Sequence, residues 1–588
     1  MRIHLASALV LLAAACSSGS TDTARTGEVS FVLTQDETSD ELTQFAVDVS
    51  NITLTKLNGN TVSAVPKATR IDFVELDALG ELIAGLTLDA GVYTRLTMDL
   101  DFSNAEVLIA GQSTAATVQN QFGNPITGSI QVVLDFAAGA RPVVGALRHN
   151  LFVLDLDLGQ SIAVDGVNNI VTFTPVLNAE LDPSNPKPIA TRGILQSVNL
   201  NNRTFVLERR ALDNSVLGTF TVQTNTTTVF QLDGQNGIGA PSLGMLPGYI
   251  GQYLFVQGSF TANLSPLNAV AVETGAGVPG NGQDWVIGHV TARSGGAGAD
   301  ATLTVTGRSL DVGTLTRHFN TQHTVNVSHA DTKVLRRGSG NSLDTDAINV
   351  GQLVWIFGDI SGTTLDATAA TGVARLLPTA IFGVANAVPS GDSVSLDLVR
   401  FDLRDVAEFD FDVSGQVQAD PDAFTVDVTG ISTSGVIMGS KLRVEGWISG
   451  VGASGDDATG VSLVNRSTTA RLMFCQWLTP TTAAVSQSSA STKIELNVDT
   501  ATIRTVADGF GLVNLSSTPA PTIQKLAGIG VYRIIESGAT ELNLSFDTFR
   551  ASLLTRAATT PVFRIAAFGT FDESTQAFSA LTVTVILD

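Results

Sequence analysis

The stretch that decides the fold is Gly351-Gln352-Leu353-Val354-Trp355-Ile356-Phe357-Gly358, a run of hydrophobic residues between two glycines. The same frame occurs 100 residues earlier, at 251–258, and a third time at 439–446. In the third copy Leu442 and Val444 alternate with polar residues, which is the period of a half-buried strand. A unit that recurs in this way predicts tandem β modules.

Each copy also opens with a strand that contains a glycine, at 192–198, 286–292 and, more weakly, 381–384. A turn and a second strand follow the closing glycine. The same spacing after Gly569 indicates a fourth, degenerate copy at the end of the chain. Short strands with glycine at their bends would leave unpaired backbone groups at the edges of an open sheet. Closing the sheet pairs these groups, and this favours small barrels over open sandwiches.

The chain of 588 residues is too long for one hydrophobic core, since domains usually have about 150 residues. We predict an all-β protein in which an N-terminal β-sandwich is followed by tandem small β-barrel modules. The predicted units are a sandwich domain at 28–188, barrel modules at 189–280, 281–378 and 379–468, and a degenerate C-terminal β module at 469–588. The proline-rich segment 182–188 marks the first boundary.

The charge of the chain restricts its partners. Lys and Arg number 33 and Asp and Glu number 55, which gives a net charge of −22. Nucleic-acid binding depends on clustered basic residues that contact phosphates, so we expect no nucleic-acid partner.

The N-terminus has the pattern of a secretory signal at 1–15, with Arg2, an apolar run at 5–12 and small residues before Cys16. This pattern resembles a bacterial lipoprotein signal. The resemblance implies that Cys16 is the lipidated first residue of the mature protein, carrying acyl chains such as palmitate, and that 16–27 is a tether. Ser17, in place of an Asp, implies sorting to the outer membrane. We therefore expect a protein of the cell envelope, on either face of the outer membrane.

Two further resemblances concern the folded part. The first domain resembles a family of unknown function found at the front of bacterial surface lipoproteins. Its marks here are the strand at 28–34, the segment Ile71-Asp72-Phe73-Val74-Glu75-Leu76, the Gly-x-Tyr-Thr strand at 91–94, and the closing residues Asp155, Asp157, Ser161 and Pro175-Val176. The repeats resemble a second family of unknown function, tandem β-barrels of OB-like type. Neither resemblance implies an activity.

Candidates for metal sites are few, and we expect no cofactor. His323 and His329 would share a face if both lay on one strand, with His318 close by, but no carboxylate or thiol supports a metal site there. Calcium often binds in loops of extracellular β proteins. The weak candidates for such a site are Asp420, Asp422, Asp456 and Asp457, none of which fits an EF-hand frame.

The sequence contains neither a Gly-x-Ser-x-Gly elbow nor a His-Glu-x-x-His motif, so we expect no enzyme and no catalytic residues. Trp285 and Trp447 lie at the edges of repeats, where an exposed ring could stack on a sugar, although packing within the module is the alternative role. Cys475 is expected to be a buried hydrophobe, not a reactive thiol.

The function that follows is a lipid-anchored envelope protein that binds a polysaccharide or another envelope protein without catalysis, or acts as a scaffold. One alternative is an envelope enzyme that acts on carbohydrate through a loop-borne site. Another is a purely structural spacer whose modules bind nothing.

Overall fold

The glycines of the repeated frame occupy positions that fit no side chain in this computed structural model of the protein. The three opening glycines have a positive φ, in the left-handed region that glycine adopts readily: 93° at Gly251, 94° at Gly351 and 83° at Gly439. A Cβ at the closing glycines would lie 2.3 Å from a backbone carbonyl oxygen of the next strand, at Gly258, Gly358 and Gly446. Both glycines are therefore required by the geometry of the strand between them.

The structure describes residues 26–588 with these gaps: 36–40, 66, 77–79, 137–138, 140, 184–186, 211–215, 234, 261–265, 414–418, 468–470, 488–491, 508–509, 511, 528–529 and 537–538. Within this part the protein is all-β, with an N-terminal sandwich and closed barrels. The longest of the described helices, Phe546–Ala557, has 12 residues, and none of them has the length and hydrophobicity of a membrane span.

The N-terminal domain has strands β1 Thr26–Thr34, β2 Leu42–Lys56, β3 Thr61–Ser63, β4 Thr69–Asp72, β5 Gly80–Asp89, β6 Gly91–Ile109, β7 Thr117–Gln119, β8 Ser129–Asp135, β9 Val143–Val144, β10 His149–Leu156, β11 Ile162–Asp165, β12 Ile170–Phe173 and β13 Leu177–Leu181. Two of its sheets form a sandwich, ordered β13-β10-β1-β5 and β3-β2-β6-β8, with β4 beside β2 and β9 beside β6. A third sheet has the order β11-β12-β7. The helices of the domain are a 3₁₀ turn at Phe73–Leu76 and α1 at Leu158–Ser161. Phe31 and Phe152 stack in the core between the sheets, with ring centroids 5.6 Å apart.

Three barrels follow. Barrel 1 has β14 Ile189–Asn199, β15 Thr204–Arg210, β16 Val216–Gln223, β17 Val229–Leu232, β18 Gln235–Ile238, α2 Ala240–Leu243, a 3₁₀ turn Leu246–Tyr249, β19 Tyr253–Ser259 and β20 Leu267–Thr274. Barrel 2 has β21 Asp284–Ser294, β22 Ala301–Asp311, β23 Thr316–Val327, β24 Lys333–Arg336, β25 Ser342–Leu343, a 3₁₀ turn Thr345–Ala347, β26 Leu353–Ser361, β27 Thr364–Asp366 and β28 Val373–Leu376. Barrel 3 has β29 Thr379–Ala385, β30 Ser393–Phe401, β31 Arg404–Asp405, 3₁₀ turns Val406–Glu408 and Pro421–Ala423, β32 Phe424–Asp427, β33 Lys441–Ile448 and β34 Ala458–Asn465.

The three barrels share one topology. Each is a closed circuit of hydrogen-bonded strands: β14-β15-β16-β20-β19, β21-β22-β23-β27-β26 and β29-β30-β32-β34-β33. The third and fourth strands of each circuit are parallel, and the other pairs are antiparallel. This arrangement is that of an OB-like barrel. The strand of the repeated frame is the fifth in each circuit, and it closes the barrel by pairing with the first strand. The two glycines therefore lie at the ends of the strand that closes the barrel.

The C-terminal module has β35 Arg471–Thr481, a 3₁₀ turn Thr482–Ala484, β36 Lys493–Glu495, β37 Ile503–Ala507, β38 Leu512–Asn514, β39 Thr522–Lys525, β40 Val531–Glu536, β41 Ala539–Asn543, α3 Phe546–Ala557, β42 Val562–Asp572 and β43 Ala577–Leu587. Gly569 pairs with Arg471 as Gly258 pairs with Ile189, and a Cβ on Gly569 would lie 2.0 Å from a carbonyl oxygen. The closing position of the repeat is therefore present here as well.

The N-terminal domain contacts three of the other units. Its strand β5 pairs with β14 of barrel 1. Arg308 of barrel 2 donates to Asp72 of the domain at 2.6 Å. In the C-terminal module, the buried Arg564 donates to the carbonyl oxygen of Ser161 at 3.1 Å. The N-terminal domain is thus in direct contact with barrel 1, barrel 2 and the C-terminal module.

Neighbouring barrels are also joined by buried polar contacts. Between barrels 1 and 2, Arg375 and Glu273 form an ion pair at 3.3 Å, and both side chains are almost fully buried. Between barrels 2 and 3, Gln352 accepts a hydrogen bond from the backbone N–H of Ile448 at 3.1 Å. Buried polar groups need such partners, and their geometry fixes how the units are oriented.

Candidate functional site

A large cavity lies where the N-terminal domain, barrel 2 and barrel 3 meet, and we call it the junction cavity. Its volume is about 610 Å³, which is in the size range of small-molecule sites. The N-terminal domain contributes the start of β2, the 3₁₀ turn after β4 and the end of β6. Barrel 2 contributes the outer face of β21 and β22, and barrel 3 contributes β29, β33 and the β30–β31 turn.

Strand alternation determines which side chains of barrel 2 face the cavity. In β22, Leu303 and Val305 are fully buried in the barrel core. Thr306 and Arg308 lie on the opposite face and line the cavity. The wall is therefore the outside of a barrel whose inside is filled by hydrophobic side chains.

A histidine–carboxylate pair crosses the cavity wall between barrels 2 and 3. Nε2 of His289 lies 2.8 Å from Oδ2 of Asp402. Asp402 begins the tight β30–β31 turn with a φ of 47°, a region that Asp tolerates better than most residues. No hydrogen bond among the described residues joins Nδ1 of His289 to a hydroxyl or thiol. The pair thus joins two barrels, and no described nucleophile is hydrogen-bonded to it.

Basic side chains outnumber acidic ones on the described part of the lining. The basic residues are Lys187, Arg308, Arg404, Arg443 and Arg466, and the acidic residues are Asp402 and Glu445. The whole chain has the opposite balance, with an excess of acids. Charges that line a concave surface act through less water than charges on an open one, so the basic excess has a stronger effect here.

Several of these cations also hold protein contacts. Arg404 donates to Glu408 at 2.7 Å and to Asn320 at 2.5 Å. Arg466 differs, because it forms no ion pair with any described residue and its buried Nε has no hydrogen-bond acceptor there. Arg466 therefore brings a positive charge to the cavity that the described residues do not neutralise.

An aromatic ring adds an apolar surface beside these charges. Phe382 lines the cavity and is 4% exposed. The guanidinium of Arg400 lies 4.1 Å from the centre of its ring, and that of Arg443 lies 6.0 Å away. Ile287 and Leu353 of barrel 2 add further apolar surface. The cavity thus offers both cationic and apolar contacts.

The predicted lipidation residue, Cys16, lies outside the described residues. Trp285 and Trp447, the two tryptophans predicted to stack on a ligand, are both half-buried. Trp285 makes an edge-to-face contact with Trp355, with ring centroids 5.8 Å apart. Trp447 has the guanidinium of Arg336, from the preceding barrel, 4.9 Å from its ring centre. Both rings therefore have protein contacts, and stacking on a sugar stays a prediction.

Three of the four candidate calcium ligands, Asp420, Asp456 and Asp457, accept hydrogen bonds within barrel 3. Asp420 accepts from the backbone N–H of Asp422 at 3.0 Å and caps a 3₁₀ turn. Asp456 accepts from Ser393 at 2.7 Å, and Asp457 accepts from the hydroxyl and backbone N–H of Thr425. In the described part of the chain, no three His, Cys, Asp or Glu side chains come together as metal ligands would.

The histidines are arranged differently from the pattern considered in the sequence. Strand β23 ends at Val327, so His329 lies beyond it and contacts Thr345 instead. His323 faces His318, with ring centroids 6.0 Å apart. His323 is 1% exposed, and burial, with a smaller contribution from His318, lowers its pKa to about 4. This histidine is therefore neutral at physiological pH.

Sequence reasoning missed the residues of the junction cavity. His289, Asp402, Arg404 and Arg466 come from separate segments of two barrels, and no local motif connects them. The one available signal was the presence of basic residues in a chain that is otherwise acidic, such as Arg443 within the third repeat.

Comparison with known proteins adds no family: no protein-family model matches the chain, and no curated protein matches it. The site is therefore interpreted from its geometry alone.

Proposed function

We propose that this protein is a lipid-anchored, non-catalytic binding protein of the cell envelope, with the junction cavity as its binding site. The single observation that carries the binding role is that three units of the chain border one cavity lined by charged side chains. A site shared among units occurs often in ligand-binding proteins. The lipoprotein-like signal that ends at Cys16 supports the anchor, and two or more acyl chains hold a protein stably in a membrane.

The contacts around the cavity support binding over catalysis. His289 and Asp402 resemble part of a catalytic dyad, but their hydrogen bond joins two barrels and no described nucleophile contacts the imidazole. The envelope-enzyme alternative predicts turnover of a carbohydrate substrate that is lost in His289→Gln. The binding proposal predicts no turnover in either protein.

The folding back of the chain argues against the spacer alternative. Gln160 of the N-terminal domain donates to Thr582 of the last module at 3.1 Å, across a sequence separation of 422 residues. A spacer gains reach by adding modules end to end. Here the last module contacts the first domain, so adding modules does not lengthen the molecule in proportion.

The anchor is tested by expressing the full chain in a bacterial host next to Cys16→Ala and Cys475→Ala. Cys475 is fully buried and serves as the matched control. We expect the parent and Cys475→Ala to enter the detergent phase with acyl mass on the N-terminal peptide, and Cys16→Ala to lack that mass. If all three proteins enter the aqueous phase without acyl mass, the protein is not a lipoprotein.

A further inference from the structure

We infer that the junction cavity binds an organic anion, a carboxylate or phosphate carried on a small carbon skeleton. This inference rests on the proposed binding function and names the class of its ligand. Its starting point is the charge of the cavity: five basic side chains against two carboxylates on the described wall of a chain with a net charge of −22. A concave basic surface in an acidic protein concentrates anions locally.

One of the two carboxylates of the wall, Asp402, is already engaged by the protein. Asp402 is held by His289 at 2.8 Å and by the backbone N–H of Ala380 at 3.3 Å. Two of the cations are held in the same way, Arg308 by Asp72 and Arg404 by Glu408. These pairs fix the shape of the wall.

Arg466 is the residue that points to a ligand. It lines the cavity and forms no ion pair with a described residue. Because no described carboxylate neutralises its charge, Arg466 is available to the acidic group of a ligand in the cavity. The planar guanidinium fits the two oxygens of a carboxylate or phosphate group.

The apolar part of the wall distinguishes an organic anion from an inorganic one. Phe382, Ile287 and Leu353 face the same cavity as the arginines. The volume of about 610 Å³ greatly exceeds what a single phosphate ion fills. A ligand with a carbon skeleton would contact the apolar residues while its acidic group meets Arg466.

The test uses the full chain in neutral detergent, whether or not it carries acyl groups, and matched pairs of probes that differ in charge: glucuronate with glucose, and phenyl phosphate with phenol. Inorganic phosphate tests charge alone. Binding is measured by ligand-observed NMR and calorimetry. We expect at least one organic anion to bind tenfold or more tightly than its neutral partner and than inorganic phosphate. Equal binding of the neutral partner, or no binding by either anion, would overturn the inference.

Variants locate the site. Arg466→Gln should weaken anion binding fivefold or more, whereas the control Arg95→Gln should not change it. Arg95 is a half-exposed surface residue paired with Asp135 in the N-terminal sandwich. Unchanged affinity in Arg466→Gln would place any anion elsewhere and refute the inference.

Hydrogen exchange on the parent protein tests the same site without relying on a variant that folds. A bound anion should slow exchange in β33 and in the β30–β31 turn, and leave β6 near Arg95 unchanged. If a bound anion slows hydrogen exchange only in other segments, it binds outside the junction cavity and the inference is wrong. The measurement of acyl mass at Cys16 is independent of these results, so a failed ligand test and a failed anchor can be told apart.

Discussion

Acid should destabilise barrel 2 through His323, and the size of the effect follows from its burial. In the folded protein the pKa of His323 is lowered to about 4, whereas an exposed histidine has a pKa of about 6.5. Between about pH 6.5 and pH 4, His323 is protonated in the unfolded chain and neutral in the folded chain. The free energy of unfolding therefore falls as the pH drops from about 6.5 to about 4, and this group contributes no further loss at lower pH.

The full loss amounts to roughly 3 kcal/mol, of which about 2 kcal/mol falls between pH 7 and pH 5. Removing the titrating group should remove this part of the pH dependence. The variant is His323→Leu, because Val305 and Val325 already make the surroundings apolar. The control is His329→Gln, at a half-buried position beyond the end of β23.

The assay is urea unfolding at pH 7 and pH 5, followed by hydrogen exchange of peptides from β22 and β23, so that barrel 2 is observed separately from the other units. The parent and His329→Gln should lose about 2 kcal/mol more than His323→Leu over this interval. An NMR titration of the labelled imidazoles gives the pKa directly. If His323 titrates near pH 6.5 in the folded protein, or if the leucine variant keeps the full pH dependence, the reasoning is refuted.

Three further predictions concern packing. Gly258→Ala should lower the free energy of unfolding by about 3 kcal/mol, because its Cβ would lie 2.3 Å from the carbonyl oxygen of Asn268. The control Gly248→Ala, whose Cβ would have nothing within 4 Å, should lower it by under about 1 kcal/mol in the same thermal or urea unfolding experiment. Equal losses would contradict the steric argument. Arg564→Leu should cost roughly 3 kcal/mol and speed hydrogen exchange in α1, because it leaves the buried side-chain oxygen of Gln476 unpaired and removes one of two donors to the carbonyl oxygen of Ser161. Unchanged exchange in α1 would show that the contact contributes little. Burial raises the pKa of the Cys475 thiol to about 12, so a maleimide should label it in guanidinium and not in the native protein; rapid native labelling would show that the site opens.

The barrels could be predicted from sequence because their geometry constrains single residues. The opening glycines need a positive φ, and the closing ones have no room for a Cβ, so both leave a trace at fixed spacing. The alternation of Leu442 and Val444 likewise reports directly on a strand with one buried face. Local backbone geometry of this kind is visible in a single sequence.

The candidate site could not be predicted in the same way, because it depends on contacts between units. Nothing near His289 in the sequence indicates that Asp402 will meet it, and nothing near Trp447 indicates that Arg336 will lie over its ring. Asp157 shows the same limit within one domain: it belongs to an alternating Leu-Asp stretch, yet it is buried and caps α1 by accepting from the backbone N–H of Gln160. Where a side chain's role depends on a distant segment, the linear pattern does not contain it.

The contact between Gln160 and Thr582 has a consequence for the time course of biosynthesis. The two residues are 422 positions apart, so at the usual speed of translation the second is made roughly 20 to 80 s after the first. During that interval α1 of the N-terminal domain lacks the C-terminal module that later covers it. A chaperone that binds nascent chains could therefore bind this surface during the same interval. A chain that ends early, even by one module, would leave this surface uncovered permanently, which gives quality-control proteases a physical means of telling incomplete chains from finished ones.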